Sequence, residues 1–226
     1  MGRHDWYRNT TWDAQIEADF FARLQRARTQ KSQYLRIQAS SLRERHPDVA
    51  LRLLEQVFAV GDAFDLAPAL VDRAHALLAL GQVDAAMESF EQAIAREQEF
   101  PGIRTHAWLD LPFEIATRGL RARYDRAFEL LEAFKPRLMW PRDGFRWHAA
   151  AALMQRDRGA LELAQAHARE ALAEAGRDDS GFAHHPDLGL VGDDYAGLRG
   201  ELAGMTNERT SSWLTRFSSK RSKSKR

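Results

Sequence analysis

Residues 70–95 read LVDRAHALLALGQVDAAMESFEQAIA, and their pattern decides the fold. One helix ends near Leu80, Gly81 stops it, and Val83 to Glu97 forms its partner. Helix formers (Ala, Leu, Glu, Gln, Arg) fill most positions here and along the chain. Short alternating runs of Val, Ile and Thr, the mark of half-buried strands, are absent, so no strand is expected. The stretch reads as a helical hairpin.

Three more segments align with its second helix. They are PDVALRLLEQVF from Pro47, YDRAFELLEAFK from Tyr124 and LELAQAHAREAL from Leu161, beside VDAAMESFEQAI from Val83. The fourth position is alanine each time: Ala50, Ala86, Ala127 and Ala164, at intervals of 36, 41 and 37 residues. Four residues later stand Leu54, Phe90, Leu131 and Ala168, and three further on Val57, Ala93, Phe134 and Ala171. A small residue lets a neighbouring helix approach closely, and larger ones a turn or two on fill the space beside it. Self-similarity at a fixed period outranks any single motif as evidence of fold.

The punctuation between these segments fixes the remaining helices. Thr10 and Asp13 are spaced as a capping pair for a first helix carrying Ile16, Phe20, Phe21, Leu24 and Ala27. A second helix is expected over 31–45, broken at His46-Pro47, and a third, with Asp48 helping to cap it, through Val60. Pro68 suits the first turn of the next helix, where a missing N–H costs nothing, and Pro112 the start of another. Further helices are expected over 125–134, 144–155, 160–175 and, briefly, 195–202, with 176–194 as loop.

Together these residues resemble the tetratricopeptide repeat, whose second helix carries Ala-x3-Phe with a period near 34. In the clearest copy Gly81 matches the turn glycine, Val83 the apolar entry residue, Ala86 and Phe90 the central pair, and Ala93 the following alanine. The resemblance covers roughly residues 31–175; the Trp-x2-Leu-Gly-x2-Tyr pattern of the first helix is poorly kept, the terminal proline is displaced, and the spacing is long. It implies an all-α fold of stacked antiparallel hairpins winding into a right-handed α-solenoid. The implied layout is one domain over 1–204, with repeats at about 31–60, 66–97, 108–135 and 144–175, and a basic, disordered tail over 205–226. The competing arrangement is a bundle of helical hairpins without a regular superhelix. The repeat implies a non-enzymatic scaffold or adaptor that binds a protein or peptide in its concave groove. Its register turns Arg43, His75, Arg146 and Arg156 toward that groove, suiting an acidic or polar peptide. The plainer reading of those four is solvated side chains whose stems cover apolar surface. Asn9 and Asn207 are the only asparagines and both lie outside the repeats, so the asparagine- and lysine-lined carboxylate clamp of chaperone-binding relatives is not expected.

Composition narrows the chemistry. The 226 residues include no cysteine, which excludes disulfides, thiolate metal sites and a cysteine nucleophile. No nucleophile elbow, phosphate-binding glycine loop, His-Glu-x-x-His or dinucleotide fingerprint occurs, so no enzyme and no cofactor are expected. Asp178, Asp179, His184, His185 and Asp187, with Asp193 and Asp194 nearby, form the one cluster with metal-ligand chemistry. An exposed polar loop is the preferred reading of 178–194, and a metal-dependent enzyme built on it the minor one. His148 and His167 read as helix-surface or packing residues. The opening residues carry no apolar run and no stretch is apolar enough to span a bilayer, so a cytoplasmic protein is expected. The excess of arginine over lysine, 28 to 5, points to a GC-rich, bacterial genome.

Charge is unevenly spread. No acid follows Glu208, while Arg209, Arg216, Lys220, Arg221, Lys223, Lys225 and Arg226 give that segment +7. The other 26 basic residues face all 32 acidic ones, so residues 1–208 carry −6. An alternative function follows: attachment of an accessory protein to nucleic acid or an anionic membrane through the tail, chiefly Lys220, Arg221, Lys223, Lys225 and Arg226. At the other terminus Trp6, Tyr7 and Trp12 either staple the first helix to the stack, the preferred reading, or anchor a partner. Trp108, Trp140 and Trp147 are expected in the core.

Overall fold

A computed structural model describes residues 5–207. Lys220, Arg221, Lys223, Lys225 and Arg226 lie outside the described residues, as does most of the 205–226 tail. Among the described residues the chain is all-α and holds no strand. Ten helices run in order: α1 (Ala14–Arg26), α2 (Lys31–Leu42), α3 (Pro47–Val60), α4 (Ala63–Ala79), α5 (Val83–Glu99), α6 (Ala107–Thr117), α7 (Tyr124–Phe134), α8 (Pro141–Asp157), α9 (Leu161–Ala175) and α10 (Ala196–Asn207). None is long and apolar enough to cross a membrane. The chain divides into two compact units, Met1–Leu111 and Pro112 onward.

In the first unit α2 packs on α3, α3 on α4, and α4 on α5. The α4–α5 pair is antiparallel about Gly81, whose φ of 73° is left-handed and favours glycine. Ser89 of α5 donates its hydroxyl to the Leu70 carbonyl of α4 at 2.8 Å. Ala50 and Ala86 are both fully buried, as are Leu54, Val57, Phe90 and Ala93. These positions of the two aligned segments thus lie in the core, as their spacing expects.

The N-terminal arm closes this unit. Trp6 lies against Tyr34, Tyr7 and Phe20 with ring centroids 5.0, 5.3 and 5.5 Å apart, and Trp12 lies 5.7 Å from Phe20. Gln38, buried on α2, accepts from the Asn9 backbone and side chain at 3.1 and 2.8 Å, and its own amide donates to the Asn9 carbonyl at 2.8 Å. The aromatic residues staple the arm, as the packing reading expects.

In the second unit α8 packs on α9 and α9 on α10. Ala127, Ala164, Leu131, Ala168 and Ala171 are fully buried, while Phe134 is only half-buried. The buried Trp147 indole of α8 donates to the Leu131 carbonyl of α7 at 2.8 Å. Tyr124, at the start of α7, donates to Asp157 at the end of α8, so these helices also run antiparallel.

Several expected boundaries move. Asp13 alone caps α1, accepting from the Ile16 N–H at 2.8 Å, and the helix begins at Ala14. Helix α2 stops at Leu42 rather than Arg45, and Asp48 lies inside α3 behind Pro47. Pro68 is not in a first turn: Asp62 caps α4, its carboxylate accepting from the Phe64 N–H at 2.9 Å, and Pro68 is the sixth helical residue. Pro112 is likewise the sixth residue of α6. Trp108 and Trp147 are buried, but Trp140 is only half-buried at the head of α8, stacked on Phe182 at 4.4 Å.

Candidate functional site

Two heptads of opposite sign build the polar line of the first unit. Arg36 and Arg43 stand two turns apart on α2; Asp65 and Asp72 stand two turns apart on α4. Seven residues bring a helix back to nearly the same face. Arg36 meets Asp65 at 3.1 Å and Asp72 at 3.7 Å, and Arg43 meets Asp72 at 2.7 Å. Both aspartates are buried, so each arginine lies over a carboxylate that needs it. His75, further along α4, continues the line: its Nε2 lies 3.4 Å from Asp110 of α6, and its edge rests on Phe90 at 5.3 Å.

The second unit treats its two candidates similarly. The Arg146 guanidinium lies over the Phe113 ring at 4.5 Å, and Arg156 reaches Glu201 of α10 at 2.5 Å and Asp157 at 3.5 Å. Asp157 also accepts from Tyr124 at 2.8 Å and faces Arg121 at 3.4 Å. Burial pulls the Asp157 carboxyl up, but the Tyr124 bond and the two arginines prevail and hold it below its usual range. Burial first, then the bond to Asp157, pushes the Tyr124 phenol up to about 12. Thus all four residues turned toward the groove by the repeat register have partners within the chain, on a neighbouring helix.

A histidine pair joins α8 to α9. His148 and His167 place their Nδ1 atoms 3.1 Å apart, so one ring donates while the other accepts. Trp147 lies against both, and Lys135 sits 4.7 Å over the Trp147 ring. Burial, then His167, lowers His148 to about 4; burial, then Lys135, lowers His167. This is a packing pair that stays neutral.

The 178–192 loop is closed on itself. The buried Ser180 donates its N–H to the Pro186 carbonyl at 2.8 Å and its hydroxyl to the His185 carbonyl at 2.7 Å. Gly189, at φ 73°, presses against Trp140: a Cβ there would lie 2.6 Å from the Trp140 Cβ. Asp178, Asp179, His184, His185, Asp187, Asp193 and Asp194 are all exposed, and among the described residues no three His, Asp or Glu side chains converge to hold a metal ion.

A surface not singled out by the sequence reading is apolar. Phe64, 77% exposed at the head of α4, and Phe100, 39% exposed after α5, frame a cleft of about 360 Å³ with Ile103 and Pro101. Its sequence signal is the run Phe100-Pro101-Gly102-Ile103, which sets two large apolar residues around a Pro-Gly turn, where polar residues are usual. No protein family, no curated protein and no solved structure matches the chain.

Proposed function

We propose that this chain is a non-enzymatic, tetratricopeptide-like scaffold that binds a protein or peptide segment by an apolar anchor seated in the Phe64–Phe100 cleft. The observation that carries it is the exposure of Phe64 at a position where the Asp62 cap already completes the helix end. A phenylalanine left mostly in water contributes nothing to the core, whereas burial of a large apolar side chain is worth about 1.5–3 kcal/mol. The four buried alanines support the repeat reading, because each lets a neighbouring helix close in. Arg43 and His75 in the first unit, and Arg146 and Arg156 in the second, enter the proposal as polar contacts, each pair within its own unit. Their carboxylate and ring partners leave the apolar contact as the main source of affinity.

Selection of a displayed random-peptide library on the full chain tests this. Enriched peptides are expected to share an aromatic or branched aliphatic residue and to lose at least tenfold in affinity for Phe64→Asp and Phe100→Asp. Enrichment of peptides whose binding is indifferent to both substitutions, with circular dichroism unchanged, would remove the cleft from the proposal. A second reading, attachment through the tail, is supported by the contrast of +7 over residues 209–226 with −6 over the rest.

A further inference from the structure

From Phe20 to Arg43 the chain has no acidic residue and six basic ones, inside a body that is otherwise acidic. Arg36 and Arg43 are taken up by the buried aspartates. The other four, Arg23, Arg26, Arg28 and Lys31, are exposed around the α1–α2 corner and form no ion pair within the described residues. The staple of aromatic rings stands beside this corner. Trp6 and Arg23 line two adjoining chambers. The smaller, about 480 Å³, adds Arg26, Ala27 and Tyr34 and has no carboxylate in its wall. The larger, about 630 Å³, adds among others Asn9, Thr10, Asp19 and Phe20, a wall of mixed donors and acceptors with apolar faces. Arg8 lies 5.4 Å over the neighbouring Tyr7 ring.

Each chamber suits half of one ligand. Two guanidinium groups beside a tyrosine ring, with no carboxylate in the smaller chamber's wall, match a phosphate: their planar donor forks meet its oxygens, while Asp5 and Asp19 line the larger chamber that Arg23 also borders. A chamber walled by the half-buried Trp6 ring, with amide, hydroxyl and carboxylate groups around it, matches a flat heterocycle whose edge carries donors and acceptors. The larger volume falls within the range of small-molecule sites, while the smaller recess is largely open to solvent. We propose that this corner binds a nucleotide unit, with the phosphate on Arg23 and Arg26 and the base against Trp6. The unit is either a free mononucleotide or one residue of a single strand. The site is separate from the Phe64 cleft and does not depend on the scaffold reading.

Calorimetric titration of the full chain with adenosine 5′-monophosphate, adenosine, inorganic phosphate and a twelve-residue oligouridylate tests it. Saturable binding of the monophosphate is expected, at least tenfold tighter than adenosine or inorganic phosphate alone. Arg23→Glu with Arg26→Glu, both exposed and so compatible with folding, is expected to weaken it tenfold or more. Trp6→Ala, which removes the ring placed against the base, is expected to cost roughly 5- to 100-fold, the size of a lost stacking contact. A chain with every lysine and arginine of 209–226 changed to glutamine should bind the monophosphate as before. Tighter binding of the oligouridylate, per site, assigns the strand as source, and equal or weaker binding assigns the free nucleotide. The proposal falls if the monophosphate does not bind at millimolar concentration, if phosphate alone binds as well, or if the double glutamate variant binds unchanged.

Discussion

A methyl group at Ala86 has no room to grow. Its exposure is zero, on the buried face of α5 beside Phe90 and Ala93. Ala86→Leu should lower unfolding stability by about 1–3 kcal/mol, as overpacking of a filled core does. Ala85→Leu, one residue away and exposed, should stay within about 0.5 kcal/mol, and urea unfolding of the two variants makes the comparison. Equal effects would deny the contact role. Gln38 is the polar counterpart: its side chain pairs the half-buried Asn9 backbone N–H and carbonyl, and Gln38→Ala removes both bonds, while the Asn9 side chain keeps its bond to the Trp6 carbonyl at 2.9 Å. The cost should be about 1–3 kcal/mol, with faster proteolysis of the arm ahead of α1. The alanines were legible because a small residue recurring at one helical position is itself the signal. The destination of Arg43 was not legible from its own neighbourhood, since its partner lies 29 residues away on another helix. The matching pair of heptads, Arg36/Arg43 and Asp65/Asp72, carried that information.

Helix α4 shows how two start signals compete. Proline favours a first turn, but an aspartate whose carboxylate reaches the N–H two residues on satisfies a donor outright, and Asp62 wins over Pro68. Pro68 therefore sits where its ring opposes the Phe64 carbonyl and one helical hydrogen bond is missing. Pro68→Ala should raise stability by about 1–3 kcal/mol, part of the interior cost of proline, measured as an upward shift of the melting temperature. A lower melting temperature would show that the ring packs better than it disrupts. The α8–α9 hairpin carries the pH dependence. His148 and His167 are held neutral when folded and take up protons at ordinary pKa values when unfolded, so the unfolded chain binds more protons between pH 6.5 and about 4. Stability present above pH 6.5 is therefore lost as pH falls through that window. The full shift of His148 corresponds to about 3 kcal/mol, and solvent screening of a half-exposed ring reduces it to roughly half. The surroundings oppose one another: Lys135 lowers these pKa values, while Glu170, and for His167 Glu132, raise them. His148→Leu should flatten the profile over that interval; an unchanged slope would assign the acid sensitivity elsewhere.

The molecule divides into two compact units, and in sequence its residues 209–226 carry a charge opposite to that of the rest. The large buried side chains run from Phe20 to Met205, and α10 ends at Asn207. Helical hairpins and core faces were legible along this span because periodicity records burial directly. The closure of the 178–192 loop was not, because it depends on Gly189 meeting Trp140 some fifty residues back in the chain, a contact that no local pattern announces. The tail is where sequence speaks alone: seven basic residues and no acid from 209 onward. Low-complexity Ser, Lys and Arg runs bury too little apolar surface to add to a core, yet their charge acts on any polyanion. Removing 209–226 should thus leave the melting temperature within about 2 °C, a small shift for a chain of this size. It should also take the net charge from +1 to −6 and abolish salt-sensitive retention on a heparin column. Since each phosphate contact releases counterions, retention by the full chain should fall steeply with salt. The truncated chain should elute without salt; if it is instead retained as long as the full chain, the basic corner around Arg23 and Arg26 carries the polyanion affinity and the tail does not.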